Sequence, residues 1–163
     1  MKKTKPPKME TCWHEAGHAV IAFALDIHIE SVSAVAKPYA YGVCKHLNPL
    51  FLEPRYRRAN ARACIVMAYA GIEAAKLHEP NADESTSAQD FRDAFEMSRD
   101  FVVLPRSCTY IGDDAHDAFL LKLRGEARHL VKRHRHQIER LALLLMDRHT
   151  LTGIEARKAI DLA

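Results

Sequence analysis

Residues 13–22 read WHEAGHAVIA. From about Thr11 to Leu25, the residues Trp13, Ala16, Val20, Phe23 and Ala24 recur at helical spacing, which predicts an α-helix. Within it His14 and His18 stand at i and i+4, on one face about one turn apart. Two imidazoles so placed can converge on one ion at the roughly 2.0–2.1 Å typical of zinc–nitrogen bonds. Glu15 follows the first histidine and can reach a water on that ion without binding the ion itself. Zinc lowers the pKa of such a water towards about 7, and a carboxylate can take its proton during attack on a carbonyl. His14 and His18 are therefore candidate ligands, and Glu15 the candidate general base. The plain alternative is a pair of ordinary histidines on a helix.

A catalytic zinc site commonly has three protein ligands and an open fourth position. The extended pattern HExxHxxGxxH is not met, since Ile21 stands at its glycine and Ala24 at its last histidine. A carboxylate on a later helix is another common solution. Between residues 80 and 93 the acids are Asp83, Glu84, Asp90 and Asp93. Asp90 follows a polar loop near a helix start, but all four remain open on chemistry alone.

The rest of the chain predicts one mainly helical domain with a small β element. Ile27–Ala36 and Tyr39–His46 are β-like and separated by Pro38. An alanine-rich helix follows over about Arg55–Leu77, with Gly71 as its weak point. His78–Ala88 reads as loop, Gln89–Val103 as helix, and Pro105 and Gly112 fall in another loop. A long helix is expected from about Asp114 to His149, broken near Gly125. Thr152 and Glu155 have the capping-box spacing for a last helix over 153–162. Residues 1–9, basic and proline-containing, are expected to be disordered, and 10–163 to form the domain.

Composition narrows the function classes. The 163 residues are 48% hydrophobic and 28% charged with a net charge of +3, so no acidic partner is demanded. The four cysteines, Cys12, Cys44, Cys64 and Cys108, form no CxxC pair and suit reduced thiols in the cytoplasm. Ala63–Ile72, the most apolar run, is too short to span a bilayer, and no secretory leader is legible. Residues 122–140 hold seven Lys/Arg against two Glu, but Leu123, Leu130, Val131 and Ile138 mark that stretch as the solvated face of a helix. No nucleic-acid binding is expected. His129, His134, His136 and His149 read as surface residues, and nothing selects His28 or His46 as ligands. Cys12, two residues before His14, points away from it on a helix.

Four segments together resemble the peptidase domain of FtsH-type ATP-dependent zinc metalloproteases. WHEAGHAVIA (13–22) is similar to that family's metal-binding helix, and AYAGIEAAKL (68–77) to its small-residue-rich helix. STSAQDFRDA (85–94) resembles the segment bearing the third zinc ligand, where the matching residue is Asp90. HRHQIERLALLLMDRHTLTGIEARKAI (134–160) is similar to the last two helices. The resemblance implies a compact helical zincin-like metallopeptidase domain with one Zn2+ on His14, His18 and Asp90, and Glu15 as base. Ala70 replaces the first glycine of the family's pair, Ala75 and Lys76 stand where acids are frequent, and Phe95 where threonine is frequent.

No GxxxxGK[ST] phosphate loop is present in these residues, so ATP binding is not expected of them. Cleavage of unstructured polypeptides is the expected activity, with Tyr39–His46 as an edge that aligns an extended substrate. The competing expectation is a non-catalytic, zinc-stabilised module acting as an adaptor for a separate ATPase. A metal-dependent hydrolase of non-peptide amides is a third. The oligomeric state is not legible.

Overall fold

The computed structural model describes residues 6–36, 42–46, 54–101 and 114–162. The fold is mainly helical with a small antiparallel sheet, as expected. In chain order the elements are α1 (Met9–Ala24), β1 (Ile29–Ser33), β2 (Val43–His46), α2 (Pro54–His78) and α3 (Ala88–Phe101). Then come α4 (Asp114–Arg133), α5 (Arg135–Arg148), β3 (Thr150–Thr152) and α6 (Gly153–Asp161). A 3-10 turn over Glu84–Ser87 leads into α3.

α1 runs through the centre. Its residues from Cys12 to Ala22 are buried except His14, so the helix is apolar on most sides and has neighbours on most sides. It packs against α2, α5 and β1. α1 and α2 approach closely because Gly17 faces Ala70 and Ala74. A Cβ at Gly17 would lie 2.5 Å from the Ala74 Cβ and 2.6 Å from the Ala70 carbonyl oxygen. Ala70, where the resembled family has glycine, is thus a contact of α1. Trp13 stacks on His78 at 5.2 Å and ties α1 to the end of α2.

α1 stops at a left-handed residue. Asp26 has φ 57, and the Ile27 N–H donates to the Ala22 carbonyl at 2.8 Å, closing a Schellman-type end. That reversal feeds β1 into the sheet, whose strand order is β2-β1-β3. β1 pairs with β2 from Ser33↔Val43 to Ile29↔His46, with an irregularity between Ile29 and Ser31. Val32, in the middle strand, faces both Cys44 and Leu151. β2 is the outer strand among the described residues, and Tyr39–Tyr41 of the expected substrate edge lie outside them.

Three expectations are corrected. The long C-terminal helix breaks at His134, not near Gly125. His134 has φ −100 and ψ 21, whereas Gly125 sits within continuous α4, where an added Cβ would meet only open space. The break lies where the packing changes: α4 lies on α2 and α5 on α1, so the chain must turn between them. A glycine costs a helix only about 1 kcal/mol, too little to break one whose other face is buried. Second, β3 was not anticipated. Its three residues end on Thr152, which also caps α6 through the expected box with Glu155. Third, within the stretch expected to be disordered, Pro7 is buried and α1 starts at Met9. Residues 1–5, the Pro105–Gly112 loop and Cys108 lie outside the described residues.

The basic stretch over 122–140 has a buried apolar face, as expected. Leu123, Val131 and Ile138 are buried on the inner face of the basic stretch. Arg124 and Arg128 are held in ion pairs with Glu73, and Arg140 donates to the Leu162 carbonyl. No helix among the described residues is long and apolar enough to cross a membrane.

Candidate metal centre

α1 and α3 bring His14, His18 and Asp90 together. His14 Nε2 and His18 Nε2 are 2.9 Å apart, and Asp90 Oδ2 lies 3.1 Å from the first and 3.6 Å from the second. A tetrahedral ion with bonds of roughly 2.0–2.2 Å needs donors roughly 3.3 Å apart, which these separations bracket. Among the described residues these three form the group of His, Cys, Asp and Glu side chains suited to hold a metal. Cys12 is not in it. Its thiol donates to Met146 Sδ, and burial with nearby Glu15 pushes it up to about 11.

The ligand atoms are aimed by their surroundings. The Met67 carbonyl accepts from His18 Nδ1 at 2.9 Å, which orients the ring with Nε2 towards His14 and Asp90. Gly71 supplies the space into which both rings project. A Cβ there would overlap His18 Nε2 and lie 2.6 Å from its Cε1 and 2.8 Å from His14 Nε2. The weak point of the alanine-rich helix is therefore a floor under the two imidazoles.

Glu15 is 4% exposed, and its Oε2 has no hydrogen-bond partner among the described residues. Such an atom is costly unless a proton or a bound group satisfies it. Gly42, just before β2, covers the other side: a Cβ on it would overlap Oε1 and lie 2.6 Å from Cγ and Cδ. All four side chains line a cavity of about 700 Å³ whose walls include β2 residues Val43, Cys44 and His46.

The charges are strongly coupled. Burial pushes the Glu15 carboxyl up to about 8, with His18 opposing and Asp90 adding to the rise. Burial works against an ionised Asp90, but His18 and His14 hold it well below the usual carboxylate range. Burial likewise lowers His14, while at His18 the Asp90 carboxylate outweighs burial and lifts the imidazole to about 9. A carboxylate and two imidazole nitrogens meeting at one point match a divalent cation in charge and in donor type. Burial keeps the nearby Cys44 a neutral thiol, well above its ordinary value.

The other three acids have different partners. Asp83 accepts from the Ser85 N–H at 2.9 Å and caps the 3-10 turn. Asp93 accepts from Gln89 at 2.7 Å. Glu84 pairs with Lys76 and, at 2.6 Å, with Arg124. Lys76, a departure from the resembled family, thus fastens the turn that precedes Asp90. Phe95, another, packs edge-on against His116.

Sequence reasoning missed Glu73. It is buried on α2 and accepts from Arg124 and Arg128 at 2.7 Å each. A lone acid inside an alanine-rich run was the available signal, but its arginines lie over fifty residues away.

The ion pairs make stability acid-sensitive. Arg124 and Lys76 hold Glu84 down to about 2, and despite burial the two arginines hold Glu73 below its ordinary value. Both carboxylates are depressed, so their stabilisation is complete above the ordinary glutamate value of about 4.3 and is lost below it. We expect the wild-type Tm to fall between about pH 4.3 and 2. In Glu84→Gln it should start lower at pH 6 and fall less over that window. Parallel curves in a scan of Tm against pH would count against this assignment.

No protein-family model and no curated protein matches the chain.

Proposed function

We propose that this chain is a zinc-dependent endopeptidase that hydrolyses peptide bonds in unstructured polypeptides. His14, His18 and Asp90 would hold one Zn2+, and Glu15 would act as general base. The observation that carries the reading is the convergence of three donor atoms within 3.6 Å beside a buried glutamate oxygen that has no partner among the described residues. A purely structural metal site needs the three ligands but has no use for Glu15. The resemblance to FtsH-type peptidase domains supports the same assignment.

A zinc ion held there supplies Lewis-acid activation of a water and of the substrate carbonyl. Glu15 Oε2 accepts the proton as the water attacks and then passes it to the leaving amine. The Met67 carbonyl keeps the His18 ring from turning, and Asp90 contributes the negative charge that balances the ion. β2, the outer strand of the sheet among the described residues, brings main-chain groups beside the cavity for an extended substrate. The buried, unbridged Cys12 and Cys64 suit a reducing compartment, and we place the activity in the cytoplasm.

The test is cleavage of casein and an unstructured fluorescent peptide library between about pH 6 and 9, with zinc content measured on each protein. Wild type is expected to cleave at one zinc per chain, and Asp90→Ala to lose both metal and activity. Stoichiometric zinc without cleavage at any pH would favour the adaptor reading. Zinc retained in full by Asp90→Ala would remove Asp90 from the ligand set.

A further inference from the structure

We infer that Arg124 is a positioning residue for the third metal ligand, clamping from α4 the segment that carries Asp90. The inference rests on the metal-centre reading above and extends it to a helix that supplies no ligand. His14 and His18 are fixed to each other by their shared helix, but Asp90 arrives on α3. Its placement depends on how the turn before it and the first turn of α3 dock onto the rest.

Arg124 reaches that segment at both ends. Its Nη2 donates to Glu84 Oε1 at 2.6 Å, where the 3-10 turn opens. Its Cζ lies 5.5 Å from the centroid of the Phe91 ring, the residue after Asp90. Its Nε donates at 2.7 Å to Glu73 Oε1, a buried anchor on α2. A planar guanidinium can bond through its edge and stack through its face at once, which an ammonium cannot. The turn between is closed on itself by Asp83, which accepts from the Ser85 N–H and hydroxyl at 2.9 and 2.6 Å. A pull on Glu84 is thus passed along a stiff connection to α3. Metal ligands must be held within roughly 0.5 Å of the productive geometry, so a loosened α3 weakens the site without removing a donor.

Arg128 provides the contrast. Its hydrogen bonds among the described residues go to the same Glu73, at 2.7 and 3.3 Å, and not to the Asp90 segment. Loss of Arg128 should affect stability alone.

The experiment is a Co2+ titration of the full chain followed by visible absorption, with Zn2+ competition for affinity. Arg124→Leu is expected to weaken Co2+ binding roughly 10–100-fold and to change the intensity of the ligand-field bands. Arg128→Leu should leave both as in wild type. In an Asp90→Ala background, Arg124→Leu should no longer change the residual affinity. Should Arg124→Leu fail to fold, Glu84→Gln at its partly exposed position carries the test, with an expected loss of about 10-fold. Wild-type affinity and spectrum in Arg124→Leu or in Glu84→Gln would overturn the inference. So would an equal loss in Arg128→Leu, or an undiminished effect without Asp90. Wild type that takes up no Co2+ would overturn the metal-centre reading and this inference with it.

Discussion

Gly71→Ala is expected to lower zinc affinity by at least roughly 10–100-fold, the range for disturbed ligand support, and to remove hydrolysis with it. Helix propensity alone argues the other way, since alanine in a helix interior is favoured over glycine by about 1 kcal/mol. Packing decides the outcome. The added methyl would overlap His18 Nε2 and press on His14 Nε2, so both imidazoles must leave the position where they meet. Swinging His18 aside breaks its 2.9 Å bond to the Met67 carbonyl and leaves that buried polar pair unsatisfied. The protein should still fold, because the clash is with side-chain tips rather than backbone. Isothermal titration with Zn2+ alongside a thermal melt separates the two effects. Wild-type zinc affinity in a folded Gly71→Ala protein would mean that the rings do not need this space.

Glu15→Gln should reduce peptide hydrolysis by roughly 10²- to 10⁴-fold, the usual contribution of a positioned general base. It should retain one zinc per chain. The substitution keeps the side chain's size, so it fits the slot beneath Gly42 that leaves no room for an extra carbon. The amide can still lie against the cavity but cannot accept the proton. Cleavage at a wild-type rate by the zinc-loaded variant would remove Glu15 from the mechanism and leave the metal acting alone.

Much of the fold was legible because its signals are local. The helical spacing around Trp13 and Val20 marked α1, and Thr152 with Glu155 marked the start of α6. The prolines and polar runs marked the loops between. β3 escaped because three residues carry no periodicity, and they become a strand only by pairing with Ser31–Ser33. The break at His134 escaped because nothing in its neighbourhood is a strong helix breaker. The cause lies in α4 and α5 packing on different partners.

The candidate site divides along the same line. His14, Glu15 and His18 were readable in the sequence because the helix repeat alone sets their mutual positions, whatever the rest of the chain does. Among Asp83, Glu84, Asp90 and Asp93, local chemistry could not choose, and only the family resemblance singled out Asp90. The tertiary structure supplies a physical reason: the other three acids are engaged by Ser85, by Lys76 and Arg124, and by Gln89. The roles of Gly42 and Gly71 were likewise hidden, since a missing side chain means something only when its neighbour in space is known. Sequence by itself determined most of the helices, the two-histidine helix among them, because those depend on residues within a turn or two. Tertiary packing alone decided what stands against them, because a contact between distant segments is fixed by how whole helices fit together.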